Sequence, residues 1–303
     1  MRAAFLGTPA SAVPSLAALA DVADVVLVVT RPDRRRGRGA RPTPPPVKTA
    51  ALEWGFPVAQ PEDAATLQRL LAPLSLDLAL VVAFGMILPP EVLATTRLGF
   101  VNVHFSLLPR WRGAAPVARA ILAGDEKTGV SLMLIDAGLD TGPVIAAVGT
   151  PIAPDETRGS LTARLAHLGA LLVDERLPAY VAGRSLPVPQ LSTGTSRARP
   201  LSREEARITP SWEARHAERA VRAFHPRPGA WVEVEGRPLR ILAASLVTDA
   251  TEPGRIVARD GRPVLGLVGG GLELRTVQPA GRTPQDGRSW LNGRRGAGGT
   301  IAP

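Results

Sequence analysis

Cysteine is absent from the 303 residues, which removes disulfides, thiolate metal sites and a catalytic thiol from consideration. The lack also fits a reducing compartment, and a cytoplasmic protein is the expectation. There is no G-x-G-x-x-G, no Walker sequence and no H-E-x-x-H, so dinucleotide binding, P-loop chemistry and zincin-type hydrolysis lack their usual signatures. The four histidines, His104, His167, His216 and His225, are scattered, and no metal is expected. No apolar run reaches the roughly 20 residues needed to cross a bilayer, so no membrane association is expected. The opening MRAAFLGTPASAVPSLAALA is broken by Gly7, Pro9 and Pro14 and followed by Asp21 and Asp24, which is not the pattern of a signal peptide.

Acidic charge is also in short supply: 27 Asp and Glu stand against 36 Lys and Arg, a net charge of +9. The excess is uneven. Residues 197–303 hold 18 basic against 11 acidic side chains, giving +7, whereas residues 1–196 hold 18 against 16, giving +2. Within that first part, TRPDRRRGRGARPTPPPVK carries six arginines and one aspartate between Arg31 and Arg41, a local +5, so the rest of it is −3. Two basic regions on a mildly acidic body suit a large polyanion that touches both, since Lys and Arg that neutralise phosphates supply sequence-independent nucleic-acid affinity. An arginine-rich composition with no partner is the plainer alternative.

A composition 45% hydrophobic supports a buried core, and the length suggests about two domains. Early on, strand-length apolar runs (AAFLG, ADVVLVVT, DLALVVAF, FVNVHF, GVSLMLI) alternate with helical patterns such as APVARAILAGD, the signature of an α/β sheet. A long helix over SLTARLAHLGALLVDERLPAYVAG closes at Gly183. The expected domains are residues 1–184, a Pro/Ser/Thr-rich linker at 185–203, and residues 204–303. The last of these opens with a helix and continues in short strands punctuated by EG, DG and GG turns, the pattern of a small β-barrel.

The chemistry concentrates in GFVNVHFSLLPRWRGAAPVARAILAGD and, further on, MLIDAGLDTGPVI. Asn102 and His104 stand at i and i+2 at a strand's end and therefore share a face. An amide donor beside an imidazole suits oxyanion stabilisation and proton transfer. Taken alone, the same residues also read as a turn cap and a packed histidine, and Asp140 in LDTG as a turn former. Trp111 between Arg110 and Arg112 suits a phosphate or nucleotide end, or ordinary packing.

These residues together resemble the folate-dependent formyltransferases. The likeness runs through NVHFSLLPRWRGAAP, LDTG, the PDRRRGRG loop with its PPPVK, VVAFGMILPPEVL, LSREEARI, AFHPRPGAW and VQPAGR, in order over nearly the whole chain. It implies a Rossmann-like N-terminal catalytic domain and a small OB-like C-terminal β-barrel that binds tRNA. It also implies that Asn102, His104 and Asp140 form the catalytic trio. The expected reaction moves the formyl group of 10-formyltetrahydrofolate to the amino group of methionyl initiator tRNA, for translation initiation, and one polyanion spanning two domains needs only a monomer. By resemblance the folate lies against Ser106, Leu107, Leu108 and Pro109, with Phe84, Gly85, Met86, Ile87, Leu88 and Asp136 enclosing it. Arg34, Arg35, Arg36, Arg38, Arg41, Arg110 and Arg112 are the implied tRNA contacts.

Three features depart from the family pattern: Phe105 after the histidine, where a small residue or Pro is usual, Pro143 after LDTG, where an acidic residue is frequent, and the extra basicity of Arg35 and Arg36. The nearest competing reading is a relative acting on a small acceptor such as glycinamide ribonucleotide, which the trio serves equally but which gives no use for the arginine loop. A non-catalytic RNA-binding protein on the same scaffold is the other, and the complete trio argues against it.

Overall fold

The apolar runs become the strands of a seven-stranded sheet. The computed structural model describes residues 1–35, 41–248 and 251–303. The strands, in chain order, are β1 (Arg2–Gly7) and β2 (Asp24–Val29); a separate pair, β3 (Arg34–Arg35) and β4 (Pro42–Thr43); then β5 (Val58–Ala59), β6 (Leu78–Val82), β7 (Phe100–His104), β8 (Lys127–Leu134) and β9 (Val144–Pro151). The helices over the same stretch and just beyond are α1 (Val13–Val22), α2 (Pro46–Glu53), α3 (Ala64–Leu71), α4 (Pro90–Leu93), α5 (Pro116–Ala123) and α6 (Arg158–Val181). By internal contacts the chain forms two units: Met1–Pro116, Lys127–Pro151 and Thr162–Ala198 in the first, and Val117–Glu126, Ile152–Leu161 and Arg199–Pro303 in the second. Residues 185–198, read above as linker, thus cluster with the first unit.

Sheet order in the first unit is β5-β2-β1-β6-β7-β8-β9. Pairing is parallel from β5 through β7 and antiparallel at β7–β8 and β8–β9. Every residue of β6 is buried, as a run of LALVV without alternation requires of a strand covered on both faces. The order reverses direction between β1 and β6, and the carboxyl ends of strands at such a switch point are where open α/β sheets take their ligands. There, the Thr8 hydroxyl donates to the Phe84 carbonyl (3.0 Å) and ties the two loops together. One core lies on the side of Leu6, Val29, Leu67, Leu71, Phe84 and Phe100.

The long helix α6 comes close to the sheet because Gly169 has no side chain: a Cβ there would stand 2.7 Å from Val103 Cγ1. Near its end, the hydroxyl of Tyr180 donates to the Leu98 carbonyl (2.5 Å), and burial pushes that hydroxyl's pKa up. Gly183, with φ +69°, stands just past the helix, as expected. The proline run takes two forms. Pro42 pairs in β4, whereas Pro46 is the first residue of α2, where a missing N–H costs nothing.

The second unit is an antiparallel sheet of β10 (Trp231–Val234), β11 (Arg237–Val247), β12 (Arg255–Arg259), β13 (Arg262–Leu267), β14 (Gly270–Pro279), β15 (Gln285–Asp286) and β16 (Gly299–Thr300), with helices α7 (Ala214–Phe224) and α8 (Gly287–Asn292). Its order, β10-β11-β14-β13-β12-β16, nearly closes on itself, since Val234 bridges to Ile301. The turns follow their residues. Glu235–Gly236 and Asp260–Gly261 all have positive φ, the two-residue geometry that joins twisted strands without splaying them. Ala217, Ala220, Val221 and Phe224 of α7 pack into the barrel core with Leu265, Leu272, Leu274 and Val277.

Candidate active site

Strand alternation sorts the chemistry at the end of β7. Asn102 and His104 project from one face, while Val103 and Phe105 take the other, where both lie near Gly169 of α6. Phe105 therefore fills a buried position behind the strand (9% exposed) and does not narrow the space in front of His104. The Asn102 amide is half-buried and has no partner among the described residues, so its N–H groups are available to a ligand. His104 is 6% exposed, and both ring nitrogens face protein. Nε2 lies 2.9 Å from the carbonyl oxygen of Trp111. A carbonyl only accepts, so this contact requires hydrogen on Nε2. Nδ1 lies 3.7 Å from Oδ2 of Asp140.

Asp140 reaches His104 from the loop of residues 135–143 between β8 and β9. That loop leaves the sheet where the Ile135 N–H bonds the Phe100 carbonyl (2.8 Å) and returns where the Leu134 N–H bonds the Pro143 carbonyl (2.9 Å). Pro143 contributes through its carbonyl, so its missing N–H is not felt here. Asp136 shapes the loop: its Oδ1 accepts from the Gly138 N–H (3.1 Å) and the Thr141 hydroxyl (2.7 Å). Asp140 itself has φ +52°, a left-handed conformation that Asp tolerates better than most side chains. Its Oδ2 accepts from the Gly113 N–H at 2.8 Å. The same oxygen, Oδ2, is thus held by backbone and faces the imidazole.

The expected folate-contacting residues divide in role. Ser106 is fully buried; its hydroxyl donates to the Arg110 carbonyl (2.6 Å), and its own carbonyl accepts from Ser131 (2.8 Å). Ser131 also accepts from the Leu108 N–H at 3.1 Å. Ser106 consequently shapes the turn through Leu107, Leu108 and Pro109, and those three are half-buried. Phe84 is 2% exposed and belongs to the core, with Met86 and Leu88 packed partly against it. Gly85 has φ +78°. Two apolar tips remain uncovered, Ile87 at 89% and Leu139 at 68% exposure, one on each loop expected to enclose the ring.

Among the expected tRNA contacts, Arg34, Arg35 and Arg41 are exposed; Arg36 and Arg38 lie outside the described residues. The β3–β4 hairpin bearing them is rooted by a network that charge counting missed. Lys48 donates to both oxygens of Asp33 (2.9 Å each) and to Gln60 (2.7 Å), while the Gln60 amide donates to Asp33 and to the Arg31 carbonyl (2.8 Å each). The Lys48 hydrogen bond, then that of Gln60, holds the Asp33 carboxyl below its ordinary pKa. Arg110 lies 4.5 Å over the Trp111 ring. Arg112 directs its Nε and Nη2 at Gln190 Oε1 (3.0 and 2.7 Å). Gln190 was not singled out from the sequence.

In the second unit a cavity of about 360 Å³ is lined by Arg203, Trp231, Arg240 and Gln278 among others. The guanidinium groups of Arg203 and Arg207 stand 5.5 and 5.6 Å from the Trp231 ring. Sequence gave the net basicity here but not this grouping, which joins β10 to a segment 28 residues earlier through the Trp231 indole N–H and the Arg203 carbonyl (2.9 Å). No helix among the described residues is long and apolar enough to cross a membrane.

An amide and an imidazole at the carboxyl end of β7, with an aspartate brought to the imidazole by the β8–β9 loop, define a class of site. The sequence matches the formyl transferase family over residues 1–177 and the formyl transferase C-terminal domain over residues 200–295. The chain belongs to the formyl transferase family. Among its relatives, the methionyl-tRNA formyltransferase of Halorhodospira halophila (strain DSM 244 / SL1) is 48% identical over 302 residues, covering 97% of this chain and 96% of that one. Solved structures extend the likeness in fold. An N-formyltransferase from Helicobacter canadensis, in complex with folinic acid and dTDP-3-aminofucose, superposes with a TM-score of 0.66 at 18% identity, over 91% of this chain and 98% of its own. HypX from Aquifex aeolicus in complex with tetrahydrofolic acid gives 0.65 at 18% identity, over 96% of this chain and 47% of that longer one.

Proposed function

We propose that this chain transfers a formyl group from 10-formyltetrahydrofolate to the α-amino group of methionyl initiator tRNA, in the cytoplasm and as a monomer, with Asn102, His104 and Asp140 as the catalytic residues. The observation that carries the reading is the His104 ring, set between the Trp111 carbonyl and the Asp140 carboxylate beside an Asn102 amide that has no partner among the described residues. For the acceptor, support comes from the near full-length relative of that name and from the exposed arginines of the hairpin.

The surroundings fit a flat, partly apolar donor: Ile87 and Leu139 expose apolar surface at the two loop tips, and the backbone between them offers polar edges. When bound, the donor supplies a formyl carbon on nitrogen that an amine can attack. The remaining work falls to the protein. An Asn102 N–H stabilises negative charge developing on the formyl oxygen. His104, when protonated on both nitrogens, adds positive charge at the same place. Asp140 Oδ2 faces Nδ1 at 3.7 Å, in ion-pair range, and takes up the proton shed by the attacking amine, which passes through water to the folate nitrogen as its bond to the formyl carbon breaks.

Purified enzyme, a formyl-folate donor and charged initiator tRNA provide the test, with glycinamide ribonucleotide as competing acceptor. Formylation of the tRNA is expected, with Asn102→Ala slower by about 10²–10³-fold, the usual cost of one oxyanion donor. His104→Ala should lose at least as much. Near wild-type rates in either variant, or preference for the small acceptor, would overturn the assignment.

A further inference from the structure

We propose that Gln190 is a positioning residue for Asp140, and that Arg112 sets its orientation; the proposal rests on the reading of Asp140 as a catalytic group. Gln190 lies in a Pro-rich segment that resembles a spacer, PVPQ, yet its side chain is half-buried and fully engaged. Val188 and Val144 exchange both backbone hydrogen bonds (2.8 Å each). In an antiparallel register this sets residue 190 opposite residue 142. From there the Gln190 amide donates to the carbonyls of Asp140 (2.9 Å) and Gly142 (2.8 Å).

The direction of the amide is dictated by its partners. Arg112 can only donate, and the two carbonyls can only accept, so Oε1 faces the guanidinium and the NH2 group faces the loop. Two donors and two acceptor positions are all occupied. Asp140 is therefore gripped twice by the same short segment: directly, by the Gly113 N–H on its carboxylate, and indirectly, by Arg112 through Gln190 on its backbone carbonyl. Fixing that carbonyl fixes the left-handed turn, and the turn aims the carboxylate at His104 Nδ1. The other end of the segment is tied down as well, since Arg112 exchanges backbone bonds with Ser196 (2.9 Å) and Ala198 (2.7 Å).

Gln190→Glu separates positioning from space filling. It keeps the size and the acceptor for Arg112, but turns a carboxylate oxygen towards two carbonyl oxygens. Full-length wild-type, Gln190→Glu and Gln190→Ala enzymes would be compared for kcat, for KM of both substrates, for donor affinity by equilibrium titration and for thermal midpoint. In both variants kcat should fall about 10- to 100-fold, the scale of a displaced reacting group, with donor affinity and donor KM within twofold of wild type. A wild-type kcat in Gln190→Glu would overturn the proposal. So would parallel loss of kcat, donor binding and thermal midpoint, which marks a merely structural side chain. Wild-type enzyme that fails to formylate methionyl-tRNA instead sinks the functional reading, so the two failures are distinct.

Discussion

Asp140 does two jobs that most substitutions would confound. Its φ of +52° costs a residue with an ordinary side chain about 1–2 kcal/mol, whereas Asp and Asn offset this through local hydrogen bonding. Its carboxylate, meanwhile, lies 2.8 Å from the Gly113 N–H and 3.7 Å from His104 Nδ1. Asp140→Asn should keep the turn and remove the charge. Unfolding by urea is expected to match wild type to about 0.5 kcal/mol, the scale of neutral substitutions, while kcat falls at least about 10²-fold. Asp140→Ala should lose both, with roughly 1 kcal/mol of stability lost as well. Should Asp140→Asn retain its kcat, the residue is only a turn former, the reading that LDTG alone also allows.

At the scale of elements, the arginine hairpin shows how charge can be presented without being loose at its base. Lys48, the only lysine near the stretch, is not offered to a ligand: it is spent on Asp33 and Gln60. Because the folded pKa of Asp33 is lowered, the ionised carboxylate stabilises the root above its ordinary pKa of 3.8 and loses that contribution only as pH falls through the lowered value. The anchor is thus constant from pH 5 to 8. Lys48→Ala should raise KM for tRNA severalfold and leave KM for the donor unchanged across that range; an unaltered tRNA KM would show that the hairpin needs no root. Little of this was visible in the sequence. PDRRRGRG reads as a charge run because counting side chains gives no information on which charges neutralise each other. α2 was hidden for a related reason, since PPPVK looks extended until Pro46 is seen to occupy the first helical turn. By contrast β6 and β7 were legible, because a doubly covered strand must be continuously apolar and an i, i+2 pair must share a face.

Over the whole molecule, what could be read from sequence was whatever depends on neighbours in the chain: the alternation of strand and helix, the EG and DG turns of the barrel, Asn102 beside His104. What could not be read depends on distant pairing. Gln190 meets Asp140 only because Val188 pairs with Val144, and Trp231 meets Arg203 only through the packing of the second unit. The distribution of charge is a molecular property of the first kind, and it makes a quantitative demand. If both basic regions touch one tRNA, log affinity should fall linearly with log salt, each phosphate contact contributing about 0.7–0.9 to the slope. Replacing Arg34, Arg35 and Arg41 together by Ala should therefore flatten the slope by about 2–3 units, and replacing Arg203 and Arg207 by Ala should flatten it by about a further one to two. Donor affinity should not change in either variant. Titration of initiator tRNA between roughly 50 and 200 mM salt, where such contacts dominate, decides the matter: an unchanged slope in the hairpin variant means that these arginines face solvent only, and an unchanged slope in the Arg203 and Arg207 variant removes the second region from the tRNA footprint.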